Sequence, residues 1–217
     1  MKRVPAFQVI LRADNQQCMA AEVLSRWETA GQLVGPAAMG PSLDWAEVDL
    51  ALVQQLAGIA HELTDYPRLF INVSPQTLGA PAAHFDLWRN AVAKLQTAGH
   101  VSVVLEITEA VPDLPLASRW RALTELGVEL ALDDFGMAFS TPARLRDYPW
   151  TYCKFDVRRI TGAGHDILFC QDNRIRAIAE QVESAALSQM ASDLGITWQQ
   201  GYYHHKPTVL GTMAWKK

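Results

Sequence analysis

The chain has 217 residues, a formal net charge of -4, and 49% apolar against 19% charged residues. That balance excludes disorder and supplies a sizeable core, and the mild negative charge argues against a broad basic face for a nucleic-acid polymer. No apolar run approaches the ~18 residues of a membrane span; the longest, Leu33 to Leu43, is broken by Gly35, Pro36, Gly40 and Pro41.

In chain order, short apolar runs that read as strands alternate with amphipathic runs that read as helices. The strands Phe7–Leu11 and Met19–Leu24 lead into a helix over Leu43–Leu63. The strand Leu69–Val73 precedes a helix over Phe85–Ala98, and Val101–Ile107 precedes one over Leu116–Leu126. The strands Val128–Leu132 and Tyr152–Phe155 follow, with only the brief segment Ser140–Tyr148 between them. A short helix around Asp166–Asp172, the strand Arg174–Ala179, a helix over Ser184–Leu194 and the strand Ile196–Tyr202 complete the pattern. Gly99, Gly127 and Gly195 each follow a helical run, where a helix end takes a left-handed residue. Eight strands with intervening helices predict an α/β fold, a (β/α)8 barrel of the TIM type, spanning residues 1–217 as one domain. The cover is thin between Tyr152 and Ala179. Three widely spaced cysteines, Cys18, Cys153 and Cys170, and the lack of a signal-peptide pattern predict a reducing, cytoplasmic setting.

All strand C-terminal ends of such a barrel open on one face, which carries the site. Here those ends deliver Glu22, Asn72, Glu106, Asp133 with Asp134, Lys154, Glu180 and Gln200. Any one of them reads as a cap or a solvated loop residue, but seven strands each contribute one. Crowded carboxylates call for a cation. Oxygen donors without a His or Cys cluster suit Mg²⁺ or Mn²⁺, and a pair of such ions serves in-line phosphoester hydrolysis. His204 and His205, adjacent in sequence, read as loop residues, and Trp27, Trp45, Trp88 and Trp120 as packing anchors.

The segments AAEVLSRW, FINVSPQTL, LEITE, LALDDFG, KFD, AEQVE and QGYYHHKP, in this order, resemble the EAL domain family, whose members hydrolyse the second messenger cyclic di-GMP to the linear dinucleotide. The resemblance runs from Phe7 to Pro207. It implies two Mg²⁺ or Mn²⁺ ions, one held by Glu22, Asn72, Glu106 and Asp133, the other by Asp133, Asp134 and Glu180. It places Lys154 against the attacking water and Gln200 on water or phosphate. Arg26 is implied on a substrate phosphate, Gln8 on a guanine, and Glu109 as a brace for the loop after the paired aspartates. It also implies an antiparallel strand in the barrel.

Departures accompany the resemblance. Val23 stands for the Ala of the naming motif. Met137-Ala138 replaces Thr-Gly after Asp-Phe-Gly, and Gln181 replaces the Gly of AEGVE. The helix between Lys154 and Glu180 is shortened, in the region the family uses to dimerise. Two alternatives to the enzyme follow: a non-catalytic domain that acts as a cyclic di-GMP receptor or a protein-interaction regulator, and a different two-metal phosphoesterase. A weak homodimer or a protein partner is expected, with Ile167, Leu168 and Phe169 as exposed apolar groups.

Overall fold

The computed structural model describes residues 2–29, 31–98 and 101–210. Ten strands form one sheet: β1 (Lys2–Arg12), β2 (Cys18–Thr29), β3 (Gln32–Val34), β4 (Arg68–Val73), β5 (Ser102–Ile107), β6 (Glu129–Leu132), β7 (Tyr152–Asp156), β8 (Arg176–Glu180), β9 (Trp198–Gln199) and β10 (Thr208–Val209). Eight of them close into a barrel, because β1 pairs with both β2 and β9, while β3 and β10 add short edges. Within the barrel, β2 and β4 through β9 pair parallel, β1 runs antiparallel to β2 and β9, and the edge strand β3 is antiparallel to β2. A two-strand antiparallel start needs only a short turn, whereas a parallel pair needs a crossover. The chain turns from Arg12 to Cys18 without a helix.

The helices α1 (Trp45–Gly58), α2 (Pro75–Gly79), α3 (Ala82–Ala98), α4 (Asp113–Thr124), α5 (Pro142–Asp147), α6 (Gly164–Asp172) and α7 (Ala185–Asp193) fill the connections. Side-chain caps fix several starts. Asp44 accepts from the Ala46 and Glu47 N–H groups, Ser74 caps α2, Thr141 caps α5 and Ser184 caps α7. Gly127 (φ +67°) and Gly195 (φ +80°) take the expected left-handed conformation; Gly99 lies outside the described residues.

Two apolar layers hold the barrel. The outer one joins strand faces such as Leu69, Ile71, Val103 and Leu105 to helix residues such as Leu56, Trp88 and Leu123. The inner one comprises Ile10, Ala20, Phe70, Val104, Ala131, Tyr152, Ile178 and Trp198. These form the floor beneath the site. Two residues on from the last seven come Glu22, Asn72, Glu106, Asp133, Lys154, Glu180 and Gln200; two residues before Ile10, on the reversed strand, comes Gln8. Strand side chains alternate with a period of two, so each residue that fills the floor dictates that its neighbour one step up also faces inward.

Several boundaries differ from the sequence expectation. The Leu43–Leu63 helix starts at Trp45 and ends at Gly58, followed by a 3-10 turn at Ala60–Glu62. The last parallel strand is only Trp198–Gln199, because the backbone turns over Gly201 to packed contact with Val182. The preceding strand begins at Arg176, after Arg174 adopts φ +60° in a turn. Ile167 faces the core at 2% exposure, since the inner side of the nine-residue α6 must cover β7 and β8. Leu168 stays exposed at 55%, and Phe169 is half-buried.

Candidate active site

The polar ring above the floor converges on one ammonium. Lys154 Nζ lies 3.4 Å from Glu22, 3.2 Å from Asp133 and 3.0 Å from Glu180, and also forms an ion pair with Glu106. Asn72 donates to Glu22 Oε1 at 2.8 Å, and Gln200 donates to its Oε2 at 2.7 Å. All of these except Asn72, which is half-buried, are buried.

Burial alone would strip the charge from Lys154, but Asp133, Glu106, Glu180 and Glu22 outweigh it and hold its pKa well above the ordinary lysine value. The residue is therefore an ammonium at neutral pH, a donor and not a base. Glu22 and Glu106 both touch it yet shift in opposite directions. Both are desolvated, but Glu22 also accepts from Gln200 and Asn72 and its pKa falls. Glu106 has Lys154 alone as a favourable partner, and burial, with Asp133 and Glu22 nearby, raises its pKa well above the usual range. Burial, with Asp133 and Asp134 nearby, likewise raises Glu180. Asp134 is pushed up to about 6 by burial and by Asp133.

This ring fits divalent ions. Among the described residues, Glu106 Oε2, Glu180 Oε1 and Gln200 Oε1 are buried without a partner, a costly arrangement unless something else binds them. The donors are oxygens, the set that suits Mg²⁺ or Mn²⁺. Fully ionised, Glu22, Glu106, Asp133, Asp134 and Glu180 would carry five negative charges against the one positive charge of Lys154, a deficit that two divalent ions close. A second grouping overlaps the first: ligand oxygens of Glu109, Asp133 and Asp134 lie within 4.8 Å of one another. Sequence reasoning assigned Glu109 only to bracing. Its backbone carbonyl does accept from the Phe139 N–H at 3.0 Å, but its carboxylate also faces the aspartates.

Two cavities flank the ring. One of about 480 Å³ is bounded by Pro36, Trp45, Leu52, Ser74 and Thr108; the other, of about 250 Å³, by Gln8, Asp134, Lys154, Glu180 and Tyr202. Glu22, Leu24, Arg26 and Asp133 border both. They are thus two halves of one groove with the carboxylates at its middle. Arg26 donates to the Ser25 carbonyl at 3.0 Å, and Gln8 donates to the His205 carbonyl at 3.2 Å.

The altered loops keep a glycine-like backbone. Asp134 (φ +44°), Ala138 (φ +39°) and Gln181 (φ +58°) all take left-handed conformations. The last two replace the glycines noted above, so the backbone path survives under strain. A support that sequence reasoning missed is Asp49 on α1. Its Oδ2 accepts from the Ser74 N–H at 3.0 Å and the Thr77 hydroxyl at 2.6 Å, fixing the turn that follows Asn72. The only signal in the sequence was the cap-like Ser74-Pro75 pair.

The fold and site define a TIM-type α/β barrel whose strand ends gather carboxylates around a lysine. The sequence profile of the EAL domain matches residues 2–207; the chain belongs to the EAL domain family. It is 30% identical to the probable cyclic di-GMP phosphodiesterase PdeG of Escherichia coli (strain K12), over 94% of this chain and 44% of the relative. It is 25% identical to the cyclic di-GMP phosphodiesterase PdeL of the same organism, over 94% of this chain and 62% of the relative. The chain thus spans about half the length of these relatives. Among solved structures, a Klebsiella pneumoniae BlrP1 manganese/cy-diGMP complex matches with TM-score 0.80 and 23% identity, over 96% of this chain and 57% of that one. The PaMucR phosphodiesterase in complex with c-di-GMP matches with TM-score 0.79 and 22% identity, over 96% and 98%.

Proposed function

We propose that this chain hydrolyses cyclic di-GMP to the linear dinucleotide by in-line attack of water at phosphorus. The observation that carries the proposal is the ring of buried carboxylates around Lys154, with Glu106 Oε2 unpartnered among the described residues, at the centre of a two-lobed groove. A cyclic dinucleotide with one phosphodiester over the ring places one nucleoside in each lobe.

Glu22, Asn72, Glu106 and Asp133 would hold one divalent ion, and Asp133, Asp134 and Glu180 the other. Bound there, such ions lower the pKa of water and neutralise charge at phosphorus. The protein groups do the rest. Lys154, kept charged, donates to the attacking water and to the oxygen that gains charge. Gln200, tied to Glu22, orients the same water or phosphate. Arg26, at the junction of the lobes, presents a guanidinium fork to the phosphate, and Gln8 faces a base in the smaller lobe. A carboxylate of the ring takes the proton released by water, the sugar oxygen leaves opposite the attack, and that oxygen takes a proton from solvent to become the hydroxyl of the linear product. Glu109 braces the Asp134–Ser140 loop through its backbone.

Among the described residues no helix is long and apolar enough to cross a membrane. The proposal adds a cytoplasmic location, supported by three free cysteines, and a weak homodimer or protein partner meeting the Leu168 side of α6. Chromatography of cyclic di-GMP incubated with the protein and Mn²⁺ tests the activity: a linear product is expected. Tight binding with no product would overturn hydrolysis in favour of a receptor.

A further inference from the structure

We propose that Gln181 is a nucleotide-contacting residue, its carboxamide hydrogen-bonding the base edge of the nucleotide held in the smaller lobe of the groove. The inference rests on the cyclic dinucleotide reading above. Gln181 directly follows Glu180 and forms part of the wall of the 250 Å³ cavity, with Gln8, Asp134, Gln200 and Tyr202. Its backbone sits at φ +58°, a region that glycine enters freely and other residues enter at a cost.

The frame around it cannot relax that conformation. The Glu180 carbonyl accepts from Val157 N–H at 3.0 Å, the Val182 N–H donates to Gln200 at 3.1 Å, and the Val182 carbonyl accepts from Tyr203 N–H at 3.0 Å. Gly201 packs so closely on Val182 that a Cβ there would lie 2.0 Å from its carbonyl oxygen. Glycine at 181 would serve this backbone better. The glutamine side chain gives nothing in return within the fold: it is exposed and makes no hydrogen bond among the described residues. A strained residue at a cavity wall, with its polar group unspent, points to a ligand.

The chemistry selects the part of the ligand. The neighbours Asp134, Glu180 and Glu183 are acidic, so an anion is poorly placed against this wall, and the cations that suit phosphate, Arg26 and Lys154, also border the cavity. An uncharged carboxamide offers a donor and an acceptor side by side, the pattern of a base edge.

Titration calorimetry with cyclic di-GMP, with and without Mn²⁺, on wild type, Gln181→Ala and Gln181→Gly tests this. Both variants should bind roughly three- to tenfold more weakly, the worth of one neutral hydrogen bond, with KM raised and kcat unchanged. Gln181→Gly alone should raise the melting temperature. Wild-type affinity in Gln181→Ala, or tighter binding in Gln181→Gly, would overturn the inference while leaving the proposed function standing. A wild type that binds no cyclic di-GMP under either condition would overturn both.

Discussion

Replacing Lys154 with methionine isolates what the ammonium does for the fold. Lys154 is buried and faces Glu22, Glu106, Asp133 and Glu180. Without it, four buried carboxylates lose their shared cation, while methionine fills a similar volume. Removing one partner of a buried ionic cluster costs about 3–5 kcal/mol, because the remaining charge stays desolvated. In a domain of this size each kcal/mol moves the melting temperature by about 2–4 °C, so a loss of roughly 6–20 °C is expected in EDTA. Divalent ions supply more positive charge to the same carboxylates than the lysine removed. In millimolar Mn²⁺ the difference between Lys154→Met and wild type should therefore shrink to a few degrees, while turnover stays lost. The assay is a thermal melt of both proteins in EDTA and in Mn²⁺. An equal deficit in the two conditions, or no deficit in EDTA, would refute the argument that lysine and metal neutralise one cluster.

Asp133→Ala should abolish the rise in melting temperature that Mg²⁺ or Mn²⁺ gives the wild type, since Asp133 belongs to both candidate ligand sets; a retained shift in parallel melts would count against it. Ala138→Gly should raise stability by about 1 kcal/mol in urea titrations, by relieving a left-handed alanine at φ +39°. Burial pushes the Asp49 carboxyl up to about 6. The native state then binds a proton that the unfolded chain has released, so this group's contribution falls as pH rises from about 4 to 6, by up to about 3 kcal/mol. Asp49→Asn, whose amide oxygen can still accept from Ser74 and Thr77, should flatten that part of the stability profile, and denaturation at pH 4.5 and pH 7 would reveal it.

The barrel was legible because its strands are continuous apolar runs and because Gly127 and Gly195 mark the ends of α4 and α7. The ring was legible because floor and site residues share one period of two: Val104 predicts where Glu106 points as surely as Tyr152 does for Lys154. Local pattern could not supply the direction of β1, because antiparallel and parallel buried strands carry the same apolar signal. Its reversal followed only from the family resemblance. Nor could spacing separate Ile167 from Leu168 on α6, since nine residues give too few turns to define a face. The gathering of Glu22, Glu106, Asp133 and Glu180 on one Nζ needs the closed barrel, which brings Glu22 and Lys154, 132 positions apart, into contact.

The reversal of β1 gives the barrel a handle. From Gln8 beside Glu22, β1 and β2 continue upward as paired neighbours, Phe7 with Val23 through Lys2 with Glu28, beyond the level of the carboxylates. At about 3.3 Å per residue that ladder extends roughly 20 Å past the ring. It is also the wall that carries Leu24 and Arg26. A tilt imposed at the Lys2–Glu28 tip would be conveyed by hydrogen-bonded rungs to the bases of Gln8, Glu22 and Arg26 together. The opposite side of the mouth, built from the loops after β6 and β7, would stay put. A protein fused ahead of Lys2 would thus pull on one jaw of the groove, whereas in a barrel with all strands parallel the same fusion would hang from the far end.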